Sequence, residues 1–558
     1  MMAAAACCSG LLAQDIDSLM VTMSRREKIA QLIFVDVDSE DSPSRRARHV
    51  QWIREGLGGL IVMDDGLVDN IRMVNELQSL ARIPMLVSID AEWGAAMRYF
   101  EYAAFPRAMQ LGALDDEQLV EQMGRAIGEE LSELKIFINF APVVDVNNNP
   151  GNPVINTRSF GEDREKVARL GAAYVRGMQS AGVWGSAKHF PGHGDTDVDS
   201  HLGLPVLPFD RARLDSLELY PFRRLIDEGV AMVMVGHLSV PALDSTGTPA
   251  SVSKPIVTGL LRNELGFDGI IITDALGMQG VAKGNANAAM EAYKAGADIL
   301  LMPQDARQTI DGLDAAFQGG ELDETGLDAR VRKVLALKQR CGMFQPGFSP
   351  QVDTTDLLEK TRRPQSEALI QTICDRSMTV VKGKLRRPIR FRGRKAPKVA
   401  YVAFNALTPE SAEFEAELRR HGNILRFDLP ADATAAQIDS VGALLKGCRD
   451  VIVGIHAGIP VVLSNGPQRF ATIKAEQLEQ IAGWGRRYRL HGCYMGNPYD
   501  LNRLPAYKRF KTFIIGYADS RFNNIAAVRA LTQRGNAQGS LPVGAGGLPA
   551  GWHSNRIR

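Results

Sequence analysis

Short apolar runs recur from about residue 30 to 340, each followed by a longer amphipathic stretch. The runs read as strands are Leu32–Val37, Gly59–Met63, Pro84–Ile89, Ile136–Val144, Val183–Ala187, Ala231–Val235, Gly269–Thr273 and Asp298–Met302. Helix-like segments lie between them, among them Asp116–Glu133, Arg164–Ser180, Leu214–Glu228 and Asn285–Ala295. Runs that are apolar throughout, rather than alternating, indicate strands buried on both faces, as in a parallel sheet covered by helices. Eight strand–helix units in about 310 residues predict a (β/α)8 barrel of the TIM type, assigned to residues 15–345.

The residues that close these runs change the picture from fold to chemistry. Asp64 follows the second strand, Asp90 the third, Asp145 the fourth, Lys188 and His189 the fifth, His237 the sixth and Asp274 the seventh. The C-terminal strand ends of such a barrel form one rim, so residues far apart in sequence are expected to share a pocket. Asp is also a common helix cap and turn former. Six of eight strands ending this way is more than capping explains.

After Gly342 the pattern loosens into a Pro- and charge-rich connector, taken as a linker over 346–395. Strand-like runs resume at 398–404, 450–454 and 512–516, with helical stretches at 411–420 and 435–445. They predict a smaller α/β sandwich domain over 396–558.

Composition narrows the function classes. A chain of 558 residues exceeds one hydrophobic core. A formal net charge of +1 excludes a nucleic-acid binder that relies on a broad basic field. Nine Lys or Arg residues between Lys382 and Lys398 read as a solvated linker. No apolar run is long enough to span a bilayer. The six cysteines show neither CxxC nor zinc-finger spacing, so neither a disulfide scaffold nor a structural metal site is expected. No cofactor motif is present. Residues 1–14 are small and apolar and turn polar at Asp15, like the tail of a secretory signal peptide without its basic start. Export to the periplasm or cell envelope is the expectation.

The densest chemistry lies at Lys188-His189-Phe190-Pro191-Gly192-His193-Gly194-Asp195-Thr196-Asp197-Val198-Asp199-Ser200-His201. Three of the nine histidines and three aspartates fall here, among Gly and Pro that mark a loop. Three readings compete. A divalent metal held by His189, His193 and His201 suits the ligand types, but the spacing fits no familiar helical motif. A phosphate cradle lacks the GxxxxGK[ST] pattern. In the third, His201 is an acid/base group whose ring is oriented by Asp199, since i and i+2 project to one side of an extended segment. Asp274, closing an apolar strand, is the best partner across the pocket, because a carboxylate there is costly unless used or paired.

These residues carry a resemblance. Lys188–Gly194 followed by Asp199-Ser200-His201 resembles the signature of the β-N-acetylglucosaminidase branch of glycoside hydrolase family 3, in its two-domain form. Supporting motifs occur in the same order: Asp90-Ala91-Glu92-Trp93-Gly94 with Arg98, Ala141–Asn147, Asn156–Gly161 and Ile272–Met278. Trp93 departs from the usual Asp-x-Glu-Gly-Gly; stacking on a sugar and packing beneath the loop both fit it. The resemblance implies that Asp274 is the nucleophile, His201 the general acid/base and Asp199 its partner. It also implies that Asp90, Arg98, Arg158, Lys188 and His189 hold the sugar hydroxyls. The implied activity is exo-cleavage of terminal β-linked N-acetylglucosamine from peptidoglycan or chitooligosaccharide fragments. Alternatives are a phosphorylase, a β-glucosidase of the same family and a non-catalytic glycan-binding protein. The presence of Asp274, His201 and Asp199 together disfavours the last.

Overall fold

The computed structural model describes residues 15–63, 66–200, 202–282, 287–385, 388–391, 398–457, 462–463, 466–467, 473–533 and 537–554. His201, Asp64 and the apolar segment 1–14 lie outside them. The chain falls into two compact units. One comprises the chain up to Phe105, Val120–Asp145 and Gly171–Arg363; the other comprises Pro106–Leu119, Val146–Leu170 and Pro364 onward.

The first unit is built on strands β1 (Ile33–Val37), β2 (Gly59–Val62), β3 (Leu86–Ile89), β4 (Ile138–Asn139), β5 (Trp184–Phe190), β6 (Met232–Val235), β7 (Ile270–Thr273) and β8 (Leu300–Leu301). All are parallel, in the order β7-β6-β5-β4-β3-β2-β1-β8. A bridge between Ile272 and Ile299 joins the two edges, which makes the sheet a barrel. Strands β2, β3, β6 and β7 are buried at every position, as their unbroken apolar runs predict.

The fourth strand, read as 136–144, forms regular ladder only at Ile138–Asn139. Pro142 has no N–H to donate, so the chain runs on beside β5 through separate bonds, Ser186 N–H to Ala141 O (2.9 Å) and Val144 N–H to Lys188 O (2.8 Å). The helix read over 214–228 is two helices, Arg211–Ser216 and Tyr220–Asp227, with Pro221 in the first turn of the second. A proline there forfeits no intrahelical bond, whereas mid-helix it would break one.

The second unit has a six-stranded sheet of β9 (Thr379–Lys382), β10 (Lys398–Phe404), β11 (Ile424–Leu429), β12 (Cys448–His456), β13 (Arg489–Met495) and β14 (Thr512–Ile515). Its order is β11-β10-β12-β13-β14-β9, parallel except for the antiparallel edge strand β9. Part of the expected linker is therefore folded. Residues 364–377 form a helix and β9 completes the sheet. Two excursions, 106–119 and 146–170, also belong to this unit. Buried amides tie the first of them in: Gln110 Nε2 donates to Ser377 Oγ (2.8 Å) and Asn523 Oδ1 (2.7 Å). Among the described residues no helix is long and apolar enough to cross a membrane.

Candidate active site

Asp90, Lys188, His189 and Asp274 stand at or just past a strand's C-terminal end, whereas Asp199 lies further along the loop that follows β5. Asp90 follows β3, Lys188 and His189 are the two residues before the last of β5, and Asp274 follows β7. Parallel strands bring these ends to one rim.

The centre of the arrangement is a charge network around the buried Lys188 ammonium. Lys188 Nζ lies 2.7 Å from Asp90 Oδ1 and 2.9 Å from Glu92 Oε1, and Arg98 Nη2 lies 3.1 Å from Asp90 Oδ2. The Lys188 side chain is 3% exposed. Two cations and two carboxylates sequestered in this way are costly unless each is paired. Burial alone raises a carboxyl pKa; at Asp90 the Lys188 ammonium and Arg98 guanidinium outweigh it and hold the carboxyl below its ordinary range. The turn carrying Asp90 and Glu92 is clamped from β4. Asn139 accepts the Ala91 N–H (3.0 Å) and returns its own amide hydrogen to the Ala91 carbonyl (3.1 Å). Gly94 turns this segment with φ of 89°, where a side chain would be strained. Trp93 beside it is half-buried, and its carbonyl accepts the Phe105 N–H.

A second group orients His189. Its Nδ1 lies 2.8 Å from Asp145 Oδ2. Asp145 is fully buried and also accepts the backbone N–H of His189 (3.2 Å) and of His193 (2.7 Å). Burial opposes its ionisation, but His189 and His193 more than offset this, and its pKa falls below the usual value. The His193 ring is in turn set between Thr196 Oγ1 (2.7 Å at Nδ1) and Ser200 Oγ (3.2 Å at Nε2). The first half of the histidine loop is thus fixed by its own buried polar contacts. Arg213 adds another anchor, with Nη2 lying 3.1 Å from Asp195 and 2.9 Å from Glu218.

Asp274 is partly exposed at the rim. Its N–H donates to Val235 O (2.9 Å) and its Oδ1 accepts the Ala275 N–H (2.8 Å). Asp199 is also partly exposed. Its carbonyl accepts the amides of Leu202 (2.9 Å) and Gly203 (3.0 Å), a turn pairing where the i, i+2 argument assumed an extended run. A loop rich in Gly, Asp and Ser favours turns over extended chain. Arg158 lies in the other unit, on the short Asn156–Arg158 helix, with Nη1 3.4 Å from Val154 O.

Glu92 and Asn139 carry no role in the sequence pattern; Asp145 and His237 enter only as strand-end residues, and His193 only as a candidate metal ligand. Glu92 and His193 sit inside motifs already singled out. Asn139 carried a signal of its own, an amide in the middle of an apolar strand. Among the described residues no group of three or more His, Cys, Asp or Glu side chains is gathered as a metal site requires.

Comparison with known proteins gives the family and the fold. The model of the glycosyl hydrolase family 3 N-terminal domain matches residues 24–337, more than half of the chain. The β-hexosaminidase A of Pseudoalteromonas piscicida is 37% identical over 322 residues, covering 51% of this chain and 54% of that protein. A protein of Cellulomonas fimi named β-N-acetylglucosaminidase/β-glucosidase is 30% identical, covering 66% of each. The β-hexosaminidase LpqI of Mycobacterium tuberculosis is 36% identical over 334 residues, 57% of this chain and 83% of its own. The chain thus spans roughly half to two thirds of the length of the first two relatives. A solved family 3 β-N-acetylglucosaminidase from a Paenibacillus species is 32% identical with a TM-score of 0.75, covering 93% of this chain and 98% of that one. The β-glucoside phosphorylase BglX shares the fold, with a TM-score of 0.79 at 23% identity.

Proposed function

Because the chain belongs to glycosyl hydrolase family 3, we propose that it is a retaining exo-β-N-acetylglucosaminidase with Asp274 as nucleophile, His201 as general acid/base and Asp199 as the partner of His201. The observation that carries the reading is the Asp90–Lys188–Arg98 network with Glu92, at the rim that also bears Asp274. Fixed donors and acceptors of this kind suit sugar hydroxyls. A substrate lacking one hydroxyl would leave a buried group unpaired, so such a site is selective. The names of the hexosaminidase relatives and of the Paenibacillus enzyme support N-acetylglucosamine as the sugar.

The chemistry follows from the residues. The glycosidic oxygen leaves poorly as an alkoxide, so His201 gives it a proton as the C–O bond breaks. Asp274 attacks the anomeric carbon from the opposite face and forms a glycosyl ester. Water then attacks that carbon, losing a proton to His201, and the ester bond breaks to release the sugar with its configuration retained. Peptidoglycan or chitooligosaccharide fragments with a terminal β-linked N-acetylglucosamine are the proposed substrates.

The test compares release of nitrophenol from the β-N-acetylglucosaminide and from the β-glucoside, the second being the competing activity in the Cellulomonas protein's name. Preference for the first supports the reading, and preference for the glucoside defeats it. Sugar 1-phosphate formed in phosphate buffer would make the enzyme a phosphorylase instead. Asp274→Ala is expected to abolish turnover.

A further inference from the structure

His237, two residues past β6, is fully buried and held at both ring nitrogens. Its Nε2 lies 2.9 Å from the carbonyl oxygen of Ala275, and its Nδ1 lies 2.7 Å from Ser251 Oγ. A carbonyl only accepts, so Nε2 carries a proton; in the neutral ring Nδ1 then accepts from the Ser251 hydroxyl. Ser251 thereby fixes the tautomer that His237 needs to grip Ala275.

Ala275 is the residue after Asp274, and it is gripped at both ends. Its N–H donates to Asp274 Oδ1 and its C=O accepts from His237. The Asp274 N–H is held by Val235, two residues before His237. The end of β6 therefore restrains the main chain on both sides of the Asp274 carboxylate.

The same place meets the histidine loop. The Gly280 N–H donates to the Ser200 carbonyl (3.2 Å), and Ser200 directly precedes His201. A Cβ on Gly280 would stand 2.9 Å from Ser200 O, 3.0 Å from Gly203 O and 3.2 Å from the Cβ of His237. Only a residue without a side chain lets the loop backbone dock this closely.

We infer that His237 is a positioning residue that fixes the carboxylate of Asp274, and that Gly280, packed on it, docks the loop segment next to His201 at a set distance from that carboxylate. The inference rests on the roles proposed for Asp274 and His201. It assigns work to two residues that touch no reacting atom.

The experiment pairs substrates that differ in their need for an acid. Cleavage of 2,4-dinitrophenyl β-N-acetylglucosaminide needs a nucleophile but little protonation; cleavage of an alkyl β-N-acetylglucosaminide needs both. His237→Ala is expected to lower kcat/KM on both by about 10–10²-fold, since ångström-scale misplacement of a reacting group costs that much. Azide should give no recovery, and His237→Gln, whose amide reaches the Nε2 position, should restore most of the loss. Gly280→Ala should slow the alkyl substrate at least tenfold more than the dinitrophenyl one, because its closest clashes are with the loop backbone. Should His237→Ala fail to fold, Ser251→Ala carries the test, with a several-fold drop in kcat/KM measured well below its Tm. Variants of His237 or Ser251 that lose only Tm, or a Gly280→Ala that slows both substrates equally, overturn the inference. An active Asp274→Ala enzyme overturns the nucleophile reading beneath it instead, so the two failures are told apart.

Discussion

The carboxylate of Asp145 lies 2.8 Å from His189 Nδ1 and also takes the backbone N–H of His193, four residues further along the loop. One buried acid thus sets a ring and the backbone at the start of the histidine loop. Its removal leaves buried donors with no acceptor. Asp145→Ala is expected to cost about 3–5 kcal/mol, as breaking a buried pair does, and to lower kcat/KM as His189 loses its orientation. Urea unfolding and steady-state kinetics check the two effects. A stability loss under 1 kcal/mol would contradict the burial argument.

Asp90 and Glu92 share the Lys188 ammonium, which makes Lys188 the group that keeps two carboxylates side by side. In the native protein the Asp90 pKa is held down. Its contribution to stability is therefore complete above the unfolded value near pH 4 and is lost only as pH falls through the lower folded value. Lys188→Met removes the ammonium, and the two acids then repel, so one of them takes up a proton at higher pH. The expected result is a fall in kcat/KM of at least 10²-fold, with the acid limb of its pH profile displaced upward. An unmoved limb would show that Asp90 and Glu92 do not govern binding.

What the amino-acid order revealed, and what it hid, follows from the range of the interactions. Strands such as Gly59–Val62 and Ile270–Thr273 are legible because burial on both faces demands unbroken apolar runs. The β11 strand, Ile424–Leu429, is an edge strand with an irregular mix of buried and exposed positions, and it carries Arg426 and Asp428. The β13 strand, Arg489–Met495, is buried but contains His, Gly and Cys, which dilute its pattern. Asp90, Lys188 and Asp274 were legible as strand-end residues. Their pairing was not, because Lys188 and Asp90 lie 98 positions apart and meet only because β3 and β5 flank β4 in the sheet. The grip of His237 on Ala275, across 38 positions, likewise depends on the pairing of β6 with β7.

Lys338 offers a test of buried charge away from the site. It is fully buried, and its amine donates to Gln31 Oε1 at 2.6 Å. Burial pushes the pKa down to about 7. A lysine with a depressed folded pKa is penalised while it must stay charged. Between about pH 7 and the unfolded value near 10.4 the unfolded chain binds more protons, so stability rises with pH across that window. Lys338→Met is expected to flatten this slope and to raise stability at pH 7 by about 1–3 kcal/mol, less whatever Gln31 loses as an orphaned acceptor. The check is Tm against pH for both proteins. Parallel curves would mean that Lys338 keeps its charge in the fold.

The second unit supplies a steric test of its own architecture. Gly112, in the helix Ala108–Leu114, lies directly against the main chain of Phe160, and a Cβ there would fall inside the Phe160 carbonyl. Gly161, with φ of 140°, is pressed in the same way against the Pro542 carbonyl. The obstruction at both glycines is backbone, so no side chain can rotate away to make room. Gly112→Ala forces the helix and the 146–170 segment apart and opens the packing around the buried Gln110 amide. The expected cost is at least 3 kcal/mol, at the upper end for overpacking because no rotamer relieves it. Gly326→Ala, at a helical glycine with open space around the added methyl, is the matched control. It should gain a few tenths of a kcal/mol or more from helix propensity. Equal unfolding midpoints for the two variants would show that the excursions are not packed as described.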